Sequence, residues 1–108
     1  MKTIERKHRK GHENLIKSAP EHIIRLEANI NYTSFVMQTG RRKVMSYTLA
    51  MYGMLLPESF IRVNRSCIIN RKFIKNLNSI DKTLVLKDGT EIQISRRRWN
   101  EVSQYVAA

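Results

Sequence analysis

From residue 22 onward, apolar positions recur with a period of two, the spacing of a strand that buries one face. "HIIRLE" (22–27) and "YTSFVMQT" (32–39) read as strands on either side of the polar loop "ANIN". "GRRK" (40–43) reads as a turn, with "KVMS" (43–46) pairing back. The clearest hairpin is "TLVLK" (83–87) and "TEIQIS" (90–95), joined at Asp88-Gly89. Leu84 and Leu86 fall on one side of it, as do Ile92 and Ile94, while Glu91 and Gln93 face out. "FIRVNRSCIIN" (60–70) and "KFIKNLNSI" (72–80) are also β-like. In "TLAMYGMLLP" (48–57) the spacing lengthens: Leu49, Tyr52 and Leu56 predict a short helix that Pro57 stops. In "SRRRWNEVSQYV" (95–106), Ser95 is placed to cap a second helix with Trp99, Val102 and Val106 as its apolar stripe. The expected fold is mostly β, with one or two short helices and no helix-turn-helix pattern.

The first 20 residues lack this patterning. Lys2, Arg6, Lys7, Arg9, Lys10 and Lys17 outnumber Glu5 and Glu13, and Pro20 marks a boundary. The segment reads as a basic tail or as a short helix packing through Leu15 and Ile16, with one domain following over 21–108. A chain of 108 residues supports one core. The formal charge of +11 and pI near 10.3 favour a polyanionic partner. A single cysteine, Cys67, leaves no internal disulfide, and no stretch approaches the length of a spanning helix. A cytoplasmic protein without a membrane partner is expected.

No catalytic set can be assembled. Ser66 has no histidine near it, and Cys67 sits in an apolar run as a core side chain would. His8 and His12 are four apart but lack a third ligand, so neither a metal nor another cofactor is expected. Basic clusters, by contrast, recur outside the tail: Arg41-Arg42-Lys43, Arg62 with Arg65, Arg71-Lys72, and Arg96-Arg97-Arg98. The last opens the final helix, where basic residues oppose the helix dipole; a local rule broken without local gain points to a site, and a helix N-terminus suits phosphate. Arginine matches guanine and asparagine matches adenine at major-groove edges. For Asn29 and Asn31 alone, turn formation is the stronger reading.

"LEANINYTSFVM", then "FIRVNRSCIINRKFI", then "LVLKDGTEIQISRRR" together resemble the LytTR DNA-binding domain of bacterial response regulators, over residues 22–106. The resemblance implies a fold of short antiparallel β-sheets that binds double-stranded DNA through loops entering successive major grooves, in a transcriptional regulator. Carried over onto this chain, it implies three contact places: Thr33 with Asn31 and Tyr32; Asn64 and Arg65; and Arg97 with Arg96 and Arg98. Arg41 and Arg42 are added from the charge pattern. At Asn64 many members carry histidine. Asn64 would either read a base or bond backbone within its loop and hold Arg65. The family usually carries an N-terminal receiver domain, which residues 1–20 cannot hold, and "MKTIERKH" reads as the start of a stand-alone protein. A homodimer or paired binding on repeated sites fits this reading. Three alternatives are weaker. A protein that only pairs with another family member would not need base-reading side chains. An RNA module would want exposed aromatics, and these are 7% of the chain. A membrane-surface role would want an amphipathic basic helix.

Overall fold

A computed structural model describes Ile16 and residues 19–107. Of the basic segment 1–20, only Ile16, Ala19 and Pro20 are therefore described; Leu15, His8 and His12 lie outside the described residues. Eight strands and two helices follow in the order β1 (Ile23–Ala28), β2 (Thr33–Met37), β3 (Arg42–Met45), α1 (Leu49–Leu55), β4 (Phe60–Asn64), β5 (Cys67–Asn70), β6 (Ile74–Asn78), β7 (Thr83–Leu86), β8 (Glu91–Gln93) and α2 (Trp99–Ala107). They form a five-stranded sheet of order β3-β2-β1-β5-β4 and a three-stranded sheet of order β6-β7-β8. Every pairing is antiparallel.

The larger sheet is apolar on both faces, which explains why its central strand is not a simple alternation. In β1, Ile23, Ile24, Arg25 and Leu26 are all buried. Ile23 and Leu26 join Phe35, Met37, Ile68, Leu49 and Tyr52 in a cluster under α1, and Ile16 is buried in it. Ile24 joins Ile61, Val63, Cys67 and Ile69 in a second cluster, closed by Leu84, Leu86 and Ile92 of the smaller sheet, Ile94 just after it and Val102 of α2. Tyr52 is fully buried against the Phe35 ring, edge-on at 4.9 Å, and burial pushes its hydroxyl up to about 12. Each buried aliphatic side chain contributes roughly 1.5–3 kcal/mol relative to exposure.

The expected elements are present, with three changes. "FIRVNRSCIIN" is two strands: β4 pairs with β5 around a turn at Arg65-Ser66. The β7–β8 turn is longer than an Asp-Gly pair. It spans Lys87 to Gly89, the Leu86 N–H bonds the Thr90 carbonyl, and only Gly89 takes a positive φ, +90°. The β2–β3 turn repeats this construction between Met37 and Arg41 with Gly40 at φ +90°. Finally, Thr48 caps α1 by accepting from the Met51 N–H at 3.3 Å, but the Ser95 side chain makes no cap bond. The Ser95 backbone is bonded on both sides instead. Its N–H is spent on the Val63 carbonyl, and its carbonyl accepts from Arg98, so Arg96–Arg98 forms a 3-10 turn before α2 starts.

Candidate nucleic-acid interface

Antiparallel pairing brings three chain segments to one end of the molecule. The first is the β1–β2 turn. Asn29 and Tyr32 exchange backbone hydrogen bonds of 2.7 and 3.4 Å, leaving Ile30 and Asn31 outermost. The Asn29 side chain accepts from the Ile30 N–H, so its role is to form the turn. The second is the β4–β5 turn, set beside the first because the Ala28 N–H donates to the Ser66 carbonyl at 2.8 Å. The third is the link from β8 to α2, tied to β4 by the Ser95–Val63 bond.

Arg62 joins the three. It sits between buried Ile61 and Val63, so its side chain leaves on the opposite face and turns along the strand. Its Nε donates to the Asn64 carbonyl at 3.2 Å and its NH2 group to the Arg65 carbonyl at 2.7 Å. One concave surface runs from Asn29–Thr33 to Arg62 and Arg65, and a second continues from Arg62 and Arg65 to Ser95, Arg97 and Arg98. Burial lowers the pKa of the Arg62 guanidinium, and the charges of Arg98, Arg97 and Arg65 lower it further. Among the described residues, none of these four arginines has a carboxylate partner. Uncompensated positive charge held together by the backbone is a site for an anion.

The expected site residues separate into three groups. Asn31, Tyr32, Arg65, Arg96 and Arg97 are exposed and Arg98 is half-exposed, all in or beside the shared surface. Thr33 and Asn64 are also there but are occupied. Thr33 is 1% exposed and its hydroxyl donates to the Tyr47 carbonyl at 2.7 Å, pinning the base of the β1–β2 turn to the chain entering α1. The Asn64 amide donates to the Gln93 carbonyl and accepts from the Ser66 N–H, both at 2.7 Å. It thus shapes the turn and binds the two sheets together. Arg41 and Arg42 lie apart from the cluster, on the turn at the far end of β2 and β3, since Thr33 pairs with Met45 near the site and Val36 with Arg42 away from it. Arg42 is ion-paired with Glu27 at 2.7 Å.

Two roles escaped the sequence reading. Arg62 was read with Arg65 as a basic pair aimed at DNA, but its bonds to the Asn64 and Arg65 carbonyls were not foreseen; its placement between two apolar β positions was the available signal. Arg25 is 6% exposed and meets Glu27 at 2.7 Å and Asp88 at 3.2 Å, where Thr90 also accepts from it. Burial opposes its charge, but Glu27 and then Asp88 outweigh this and its pKa is raised. The bridge fastens the β7–β8 turn to β1. Only the Arg25/Glu27 spacing on one strand face hinted at it. Cys67 is buried as expected of a core residue, and burial pushes its thiol up to about 12.

The family model for the LytTr DNA-binding domain matches residues 13–107. Among solved structures, the chain is similar to the LytTr DNA-binding domain of a Bacillus cereus protein. The TM-score is 0.72 and the identity 25%, covering 82% of this chain and 84% of that one. No curated protein matches the chain significantly. Among the described residues, no helix is long and apolar enough to cross a membrane.

Proposed function

The chain belongs to the family of LytTr DNA-binding domains, and on that premise we propose that it binds double-stranded DNA sequence-specifically, through loops entering successive major grooves, as a bacterial transcriptional regulator. The observation that carries this reading is the unpaired cluster of Arg62, Arg65, Arg97 and Arg98 beside the exposed β1–β2 turn. Phosphate binding needs cations whose charge is not spent inside the protein, and base reading needs side chains that project past them. Arg65 and Arg97 offer the bidentate fork that matches guanine O6 and N7. Asn31 offers the donor–acceptor pair that matches adenine. Arg96 and Arg98 serve the backbone, with the first turn leading into α2 supplying N–H groups to the same phosphates. Thr33, Asn64 and Arg62 position the readers. A module that acted only by pairing with another family member would have no use for this cluster.

Selection from random-sequence duplexes with the purified full chain tests the reading. An enriched motif is expected. Recovery of unrelated sequences at equal affinity would leave only charge-driven binding and reject sequence recognition.

A further inference from the structure

The β1–β2 turn carries a residue that folding does not explain. Ile30 is 94% exposed, at an outermost position of a two-residue turn. Turn centres favour glycine, asparagine, aspartate and proline, which relieve backbone strain or bond it locally; a β-branched apolar side chain does neither. Here the asparagine task is already done by Asn29, whose side chain accepts the Ile30 N–H. Ile30 therefore keeps its whole apolar side chain in water, in the concave surface that Arg62 and Arg65 also line. Its neighbour Tyr32 is 55% exposed in the same place.

We infer that Ile30 is a specificity-determining residue that packs against the C5-methyl group of a thymine in the major groove. The inference rests on the DNA-binding reading above. With Arg96 and Arg98 on phosphates and Arg65 and Arg97 at bases, the turn tip, which lines the same surface as Arg65, lies at the groove too. Ile30 has no group that can hydrogen-bond there. The thymine methyl is the apolar feature that a base presents in the major groove, and apolar side chains distinguish thymine by it. Both surfaces then leave water together, which gives the exposed side chain a role that folding does not. Asn31 and Arg65 select by hydrogen bonds, and Ile30 adds selection by shape and apolarity at a neighbouring base.

The test uses the motif that the full chain enriches, with each thymine replaced in turn by uracil, which deletes only the methyl group. Wild-type protein is expected to lose about fourfold in affinity at one position, the effect of withdrawing about one methyl group from water. Ile30→Ser is expected to bind thymine and uracil duplexes alike at that position, while Ile30→Val keeps a reduced preference. Melting temperatures of the three proteins should agree, because the side chain makes no core contact. Uracil costs that are equal in wild type and Ile30→Ser at every position would overturn the inference and leave sequence recognition standing. So would an Ile30→Ser loss that is independent of the methyl groups, the mark of a wedge between base steps. If no motif is enriched, the DNA reading itself fails, and the assignment of Ile30 fails with it.

Discussion

Asn64 and Arg65 are adjacent, yet their side chains do opposite work. The Asn64 amide closes on Gln93 and Ser66, whereas Arg65 is exposed among other arginines. Asn64→Ala removes two hydrogen bonds and should cost roughly 1–2 kcal/mol of stability, read as a lower urea midpoint. An unchanged midpoint, with a motif altered at one base, would instead make Asn64 a reader. Arg65→Ala and Arg97→Ala should each cost about 1–3 kcal/mol on the enriched motif and less on random duplex. Arg41 lies at the far end of the sheet, so Arg41→Ala should weaken both DNAs by the same small factor. Equal losses for all three variants on both DNAs would contradict the assignment of readers.

At the scale of elements, the β7–β8 turn is held to β1 by ions as well as by apolar packing. Burial acts against the Asp88 carboxylate, but hydrogen bonds from the Thr90 backbone and side chain, and then the Arg25 charge, outweigh it and lower its pKa. Glu27 is likewise lowered against its burial, by Arg42 and by Arg25. A carboxyl whose folded pKa lies below its unfolded one binds its proton more weakly when folded. Its stabilisation is then complete above the ordinary carboxylate range, roughly pH 4, and is lost as pH falls through and below that range. Melting temperature should therefore fall between about pH 5 and pH 3, and fall less steeply in Asp88→Asn, which cannot titrate. Both carboxylates are about a third exposed, so solvent screening keeps the effect small. A parallel pair of profiles would remove Asp88 from the account.

The whole molecule carries +11 of formal charge, but the fold does not spread it evenly. Arg42 is spent on Glu27 and Arg25 on Glu27 and Asp88, while Arg71 stacks over Tyr105 at 5.2 Å and Lys82 over Trp99 at 4.7 Å. Among the described residues, Arg62, Arg65, Arg96, Arg97 and Arg98 lack such partners and gather at one end, while Arg41 lies at the other. If Arg96 and Arg98 meet phosphates, the plot of log affinity against log salt should have a slope of roughly −2 for duplex DNA. Arg98→Ala should make it shallower by about 1. A slope near zero for wild type would mean that phosphates do not anchor the complex.

The sequence by itself determined the β period, both helices, the apolar residues of the core and the motif shared with the family. These follow from which side chains alternate and which turn residues interrupt them, and such relations span only a few residues. Tertiary structure alone decided the composition of the site. Alternation says which face of a strand a residue occupies, but not which strand lies opposite it. Thus the sequence left Asn64 open between base reader and turn former, and pairing placed its amide against the carbonyl of Gln93, 29 residues away. The sequence assigned Arg25 no role; the second sheet brought Asp88 to it across 63 residues. Arg41 and Arg65 both belonged to basic clusters in the sequence, with no indication of how far apart they lie. The register of β1, β2 and β5 put one beside Arg97 and Arg98 and the other at the far end, because antiparallel strands return alternate turns to opposite ends of a sheet.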